Sequence, residues 1–243
     1  MKAEKNLINW TITRACNYKC KYCKDYTGAK VKPHAYLQNM IEILRQTEKK
    51  WVFEISGGEP FLYPDFTDLC VTLSKEFQLE ILTNLSLSDK VRDFSGKIDP
   101  SKVRIRATVH IEELERRDGI EAYVKNRALL VEKGFSVIST YVMYPALVKR
   151  FKKDFDRFLS HGIRLFPTVY KGWYKMRMYP RAYTSKERNL IIKYNPKQYF
   201  YPFCFKDKIC SAGVKYVRVD ESGIVARCVN DKTVLGNMAE SVR

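Results

Sequence analysis

The stretch LINWTITRACNYKCKYC, Leu7 to Cys23, carries two patterns in succession. Its first part alternates. Ile8, Trp10 and Ile12 fall on one side and Asn9, Thr11 and Thr13 on the other, the period-two pattern of a strand over 7–13. RACNYKCKYCKDYTG, Arg14 to Gly28, follows at once with three cysteines spaced C-x3-C-x2-C. A structural zinc site takes four ligands, and neither a fourth cysteine nor a histidine stands close by. Three thiolates on a four-iron cluster would instead leave one iron open to a small ligand.

Working outward, strand and helix signals alternate. Further strands are expected at 51–56, 79–84, 103–110, 135–144 and 163–170. Helices are expected at 33–50, 63–77, 88–95, 120–134, 147–162 and 185–194. Six β–α units predict parallel strands joined by right-handed crossovers. In VRIRATVH, Ile105, Ala107 and Val109 share one face while Arg104, Arg106, Thr108 and His110 share the other. Both faces of an ordinary doubly wound sheet are apolar. One polar face per strand fits an open barrel with a polar interior and helices over the apolar outside. The cysteines then lie at the C-terminal rim, where barrel enzymes keep their active sites.

Bulk composition narrows the class. The chain has 243 residues, 45% hydrophobic and 29% charged, enough for one large domain or a domain with an appendage. No apolar run is long enough to span a bilayer, and the N-terminus lacks the features of a signal peptide, so the expected location is cytoplasmic. In a reducing compartment, seven cysteines in clusters point to metal rather than disulfides. Cys70 stands apart in an apolar-periodic helix and reads as core. The net charge of +17 leaves an anionic substrate, an acidic partner or nucleic acid open, beside a plainly solvated basic surface.

A second motif, ISGGEPFLYP (55–64), ends the second strand on the same rim. Its glycines allow close backbone approach. Together with Cys16, Cys20, Cys23 and the aromatic Tyr22, this motif resembles the signature of the radical S-adenosylmethionine (radical SAM) superfamily. The resemblance implies an α/β fold, a partial (β/α)6 TIM-like barrel. It implies a 4Fe–4S cluster on the three cysteines whose open iron chelates SAM. Gly57, Gly58, Glu59 and Pro60 correspond to the GGEP motif that binds the SAM amino group. Tyr22 corresponds to a position near the adenine, Asn84 to one near the ribose, and Thr108 and His110 to positions facing SAM or substrate. On their own, Asn84 reads as a turn residue and His110 as a satisfied buried histidine.

The tail adds a second cysteine group. Cys210 and Cys228 bracket a hairpin with an ESG turn, in the pattern C-x12-G-x4-C with Gly223 as the glycine. This looks like the opening of a SPASM/twitch auxiliary-cluster domain, which implies a barrel core over 1–198 and an auxiliary segment over 199–243. The further cysteines usual in that domain are absent. Either the segment is cut short, or Cys204 serves as a third ligand of a second iron–sulfur cluster. Core packing of a small hairpin is the plain alternative.

The expected function is radical SAM chemistry on a peptide or peptide-like molecule, anionic in view of the charge, with a reductant such as flavodoxin or ferredoxin as partner. Dehydrogenation or rearrangement of a sugar or nucleotide is an alternative, as is activation of a glycyl-radical enzyme. A zinc and nucleic-acid-binding module is the non-enzymatic one. The aromatic, basic segment KGWYKMRMYPRAYT (171–184) reads equally as a roof over the site and as a packed linker.

Overall fold

The computed structural model describes residues 6–23, 35–200, 210–231 and 233–240. Six strands form its parallel sheet: β1 (Asn6–Thr13), β2 (Trp51–Gly57), β3 (Gln78–Thr83), β4 (Val103–Val109), β5 (Ser136–Met143) and β6 (Leu165–Val169). The helices between them are α1 (Leu37–Gln46), α2 (Phe66–Ser74), α3 (Ser88–Lys97), the short α4 (Ile111–Arg116), α5 (Ile120–Glu132) and α6 (Phe151–Leu159). A small hairpin, β7 (Gly172–Tyr174) and β8 (Arg177–Tyr179), precedes α7 (Ser185–Tyr194). The tail forms β9 (Tyr216–Val219), β10 (Ile224–Ala226) and β11 (Val234–Asn237). The fold is α/β, a partial TIM-like barrel.

Strand order is β11-β10-β9-β1-β2-β3-β4-β5-β6, with β1 to β6 pairing in sequence and in parallel. Each βα unit thus adds its strand beside the last, as short right-handed crossovers dictate. The alternation in the sequence becomes two physical faces. Ile8, Trp10, Ile12, Phe53, Ile55, Ile81, Ile105 and Ala107 are fully buried under the helices. From α5, Tyr123 donates its hydroxyl to Ser139 Oγ at 3.0 Å, and from α6, Asp154 accepts the Tyr141 hydroxyl at 2.7 Å. The opposite face, with Asn9, Glu54, Glu80 and Arg106, lines the interior and stays half-buried.

The tail hairpin continues this sheet. β9 pairs in parallel with β1, Leu7 opposite Tyr216 and Trp10 opposite Val219. Its turn therefore rises to the C-terminal rim. Asp220 Oδ1 accepts from the Ser222 and Ile224 backbone N–H groups, and Gly223 takes a left-handed φ of 86°. The Tyr36 ring lies where a Cβ on Gly223 would sit, at 2.9 Å. The Tyr36 hydroxyl accepts from Trp10 Nε1 at 3.0 Å and donates to the Asp220 carbonyl at 3.1 Å. One phenol thus joins the buried face of β1, the entry to α1 and the tail.

Replacing Tyr36 by Phe removes the acceptor of a buried indole N–H and a tail-docking bond together. The expected loss is about 1–3 kcal/mol of stability, read as a lower urea midpoint. An unchanged midpoint would show that the phenol hydroxyl adds nothing to tail docking beyond the pairing of β9 with β1.

Candidate functional site

The site begins where β1 ends. Chain leaving Thr13 meets chain leaving β2 at very short range. The Gly58 N–H donates to the Thr13 carbonyl at 2.7 Å and the Glu59 N–H to the Ala15 carbonyl at 2.8 Å. A Cβ on Gly58 would lie 2.1 Å from the Ala15 carbonyl oxygen, and one on Gly57 2.2 Å from that of Thr13. Only glycine permits this approach. The cysteine loop and the GGEP turn are therefore one hydrogen-bonded unit.

Glu59 braces that unit from beneath. It is 1% exposed. Its carboxylate accepts from Thr83 Oγ1 and the Asn84 N–H at 2.7 Å each, and from the Phe61 N–H at 3.2 Å. Burial pushes its pKa up to about 7 against these three donors. Pro60 opens a turn of 3-10 helix, capped by that same carboxylate. Asn84 is buried as well. Its Nδ2 donates to Asn17 Oδ1 at 3.0 Å in the cysteine loop, and its Oδ1 accepts from Ser86. Its amide thus ties the end of β3 to the loop.

Cys16 and Cys20 are half-buried and Cys23 is exposed, all three as free thiols. Burial raises Cys16 to about 11 and Cys20 to about 12, and in both the nearby sulfurs add to the rise. Such thiols stay protonated at neutral pH until a metal centre supplies positive charge, which deprotonates its ligands. Among the described residues, no three Cys, His, Asp or Glu side chains converge as they would around a single ion. A cubane distributes its thiolates over different irons, and three soft thiols on one short loop are a donor set of that kind.

His110, at the end of β4, faces the loop. Its Nδ1 lies 3.3 Å from Cys20 Sγ and 2.8 Å from the Tyr22 hydroxyl. The Tyr22 ring stacks on the imidazole at 5.9 Å and packs on Tyr144 at 5.3 Å. Partial burial lowers His110 to about 4, so the ring is neutral. Thr108, two residues earlier on the inner face, shares a hydrogen bond with Thr140 at 3.1 Å. Tyr144 also packs on Tyr174, and Tyr179 of the same hairpin is buried. The 171–184 segment thus packs one face on this aromatic wall while Trp173, Met176 and Arg177 stay exposed.

Sequence reasoning missed α4. Burial opposes charge on Glu113, yet hydrogen bonds from Arg116, the Lys19 backbone and Arg117 hold its carboxyl below the usual range. Arg117 also donates to the Asn17 carbonyl and lies over the Tyr18 ring at 5.3 Å. Glu113 and Arg117 thus clamp the cysteine loop from outside. The charged run IEELERR carried a helical signal, but one too short to separate from a loop.

The remaining cysteines lie elsewhere. Cys70 is core. Cys210 and Cys228 sit beside the start of β9, and Arg227 Nε bonds the Ala212 carbonyl at 3.1 Å to bring their segments together. That end of β9 pairs with Leu7, six residues before Thr13. The two cysteine groups therefore occupy opposite ends of the barrel, roughly 20 Å apart along the strands at about 3.3 Å per residue. Cys204 lies outside the described residues.

Comparison with known proteins agrees with this geometry. The sequence profile of the radical SAM superfamily matches residues 10–159. An S-adenosylmethionine-dependent nucleotide dehydratase of Fibrobacter sp. (strain UWH6) is 31% identical over 117 residues, 43% of this chain and 34% of that protein. The mitochondrial GTP 3',8-cyclase of Arabidopsis thaliana is 24% identical over 143 residues, 53% of this chain and 36% of that protein. The chain spans about a third of the length of these relatives. Native anSMEcpe with bound AdoMet and Cp18Cys peptide superposes with a TM-score of 0.68 at 17% identity, over 97% of this chain and 78% of that one, and so shares the fold. The chain belongs to the radical SAM superfamily.

Gly58→Ala should displace the cysteine loop and cut iron bound after anaerobic reconstitution to below about half of the four irons of one cubane cluster. Gly96→Ala serves as the control. It lies inside α3 with nothing within 4 Å of an added Cβ, and should keep its iron and gain about 0.5–1 kcal/mol. Full iron content in Gly58→Ala would refute the coupling of the two loops.

Proposed function

We propose that the chain is an enzyme that reductively cleaves S-adenosylmethionine at a 4Fe–4S cluster and uses the resulting radical to abstract hydrogen from a peptide or peptide-like substrate. The observation that carries this reading is the hydrogen-bonded union of a three-thiol loop with a glycine turn at the C-terminal rim. When bound, the cluster and SAM supply the electron and the adenosyl radical, chemistry that belongs to the cofactors.

The chain's own residues position and shield. Cys16, Cys20 and Cys23 would hold the cluster, leaving one iron open. Backbone groups of Gly57, Gly58 and Glu59, with Pro60 closing the turn, would receive the SAM amino group. The wall of Tyr22, His110 and Tyr144 keeps water from the reacting centre. Neutral His110 offers a hydrogen bond without adding charge beside a cationic cofactor. Asn84 and Thr108 are proposed at the ribose and substrate sides.

Cys210 and Cys228, with Cys204, are proposed as ligands of a second iron–sulfur cluster at the opposite end. A substrate in the polar interior would then lie between the two, placed to pass an electron to the second cluster or to bind it. The peptide assignment is supported by the fold shared with anSMEcpe through the tail. Nucleotide substrates form the second reading, favoured by the names of the sequence relatives. Outside the cysteine loop, Lys19, Lys21, Arg116 and Arg150 line a cavity of about 440 Å³ together with Glu112, Glu113 and Glu115, which pair with all of these cations but Lys19. A flavodoxin or ferredoxin is proposed as the reductant, in keeping with the chain's net charge of +17.

Iron and sulfide after anaerobic reconstitution should reach about eight of each per chain, as two cubane clusters require. Substituting Cys210 and Cys228 by Ala should leave about four irons and SAM cleavage intact, while Cys16→Ala should abolish 5'-deoxyadenosine formation under dithionite. Four irons in the unmodified protein would make the tail a structural element, and zinc in place of iron would sink the whole reading.

A further inference from the structure

The hairpin of β7 and β8 presents a face that the fold does not use. Tyr174 packs on Tyr144 at 5.1 Å and Tyr179 is buried, which fixes the hairpin to the wall at the C-terminal rim. Trp173 and Met178, cross-strand partners, are both exposed. The strands meet at Lys175 and Met176, which take left-handed φ values of 45° and 59°. Tight hairpin turns ordinarily place asparagine or glycine at such positions. Met176 adopts that strained backbone with its side chain 94% exposed, so it gains nothing from packing.

Charge completes the pattern. No acidic residue lies between Lys171 and Thr184. Lys171, Lys175, Arg177 and Arg181 are all exposed. Among the described residues Lys171, Arg177 and Arg181 form no ion pair, and Lys175 lies over the Tyr174 ring at 5.7 Å. The tip is therefore a projecting apolar group, Trp173, Met176 and Met178, set among four cations. A protein partner would need a groove shaped to receive it. A nucleic acid would use the cations and the indole but leave both methionines without a partner. An anionic bilayer suits every part: the methionine enters the acyl boundary, the indole sits at headgroup level and the cations meet phosphates.

We infer that this hairpin docks the protein on a bilayer surface rich in anionic headgroups, with Met176 inserted and Trp173 at the interface. The contact is peripheral and reversible, since one tip and four cations fall far short of a spanning helix. The hairpin stands on the aromatic wall that borders the cysteine loop, so docking would hold the C-terminal rim at the bilayer. The surface is separate from the proposed chemistry and does not depend on it.

The test is sedimentation of the full chain with vesicles of equal parts phosphatidylcholine and phosphatidylserine, beside vesicles of phosphatidylcholine alone. The protein should pellet with the anionic vesicles and stay in solution with the neutral ones. Arg177→Gln should weaken partitioning about fivefold, the contribution of one cation near such a surface. Met176→Gly should weaken it as well while keeping the turn, since glycine takes this φ freely. Val131→Ser on α5 and Arg92→Gln on α3, both at exposed positions, should change nothing. Of the three tryptophans Trp10 and Trp51 are buried, so a blue shift of emission on adding anionic vesicles reports Trp173. Trp173→Phe should remove that shift. No pelleting, equal pelleting with both vesicles, no blue shift, or equal losses in tip and control variants would overturn the inference. So would a single-stranded oligothymidine that binds through Arg177 while anionic vesicles do not, which would assign the tip to nucleic acid.

Discussion

The contact between the exits of β1 and β2 organises the site. Two backbone hydrogen bonds, Gly58 to Thr13 and Glu59 to Ala15, pull the chains together at a range only glycine allows. Everything with chemistry at the C-terminal rim hangs from this junction. The cysteine loop starts from it, Glu59 supports it from the core, and Asn84 reaches across from β3 to Asn17. Burying an ionisable group at such a joint is expensive unless every acceptor finds a donor, and Glu59 meets three. The joint is rigid because it is satisfied.

From that rim the barrel reads as a gradient. The helix-facing side of each strand is apolar and closed. The inner side is polar and only partly withdrawn from water, and its charges are mutually arranged by register rather than by loops. At the far end stand Cys210 and Cys228, delivered by a hairpin that pairs with β1 and is held at its turn by Tyr36. An ion pair between Arg14 and Glu221 at 2.6 Å ties the hairpin turn to the residue two before Cys16. Tail and cysteine loop are thus physically joined at the rim although their cysteines lie at opposite ends.

The hairpin of β7 and β8 has one packed face and one exposed face. Tyr174 and Tyr179 pack inward on the aromatic wall that reaches Tyr22, while Trp173 and Arg177 remain outside. Packing and exposure are properties of alternate residues on one short strand pair, so a choice between linker and roof was never forced by the sequence.

The parallel strands, the polar inner face, the cysteine triplet and the glycine turn were legible in the sequence alone. Each is a local pattern: period-two alternation, fixed spacing, or a residue type that only one backbone approach requires. Helix ends came out shorter than the apolar periodicity suggested, as at 33–50 against Leu37–Gln46, because periodicity does not mark where capping stops. Tertiary structure alone decided the rest. It joined β9 to β1, set α4 against the cysteine loop, turned Asn84 and Glu59 into braces, and aligned Arg218 with Asn9. These pairings unite residues tens to about two hundred positions apart in the chain, and strand register, not local composition, determines which of them meet.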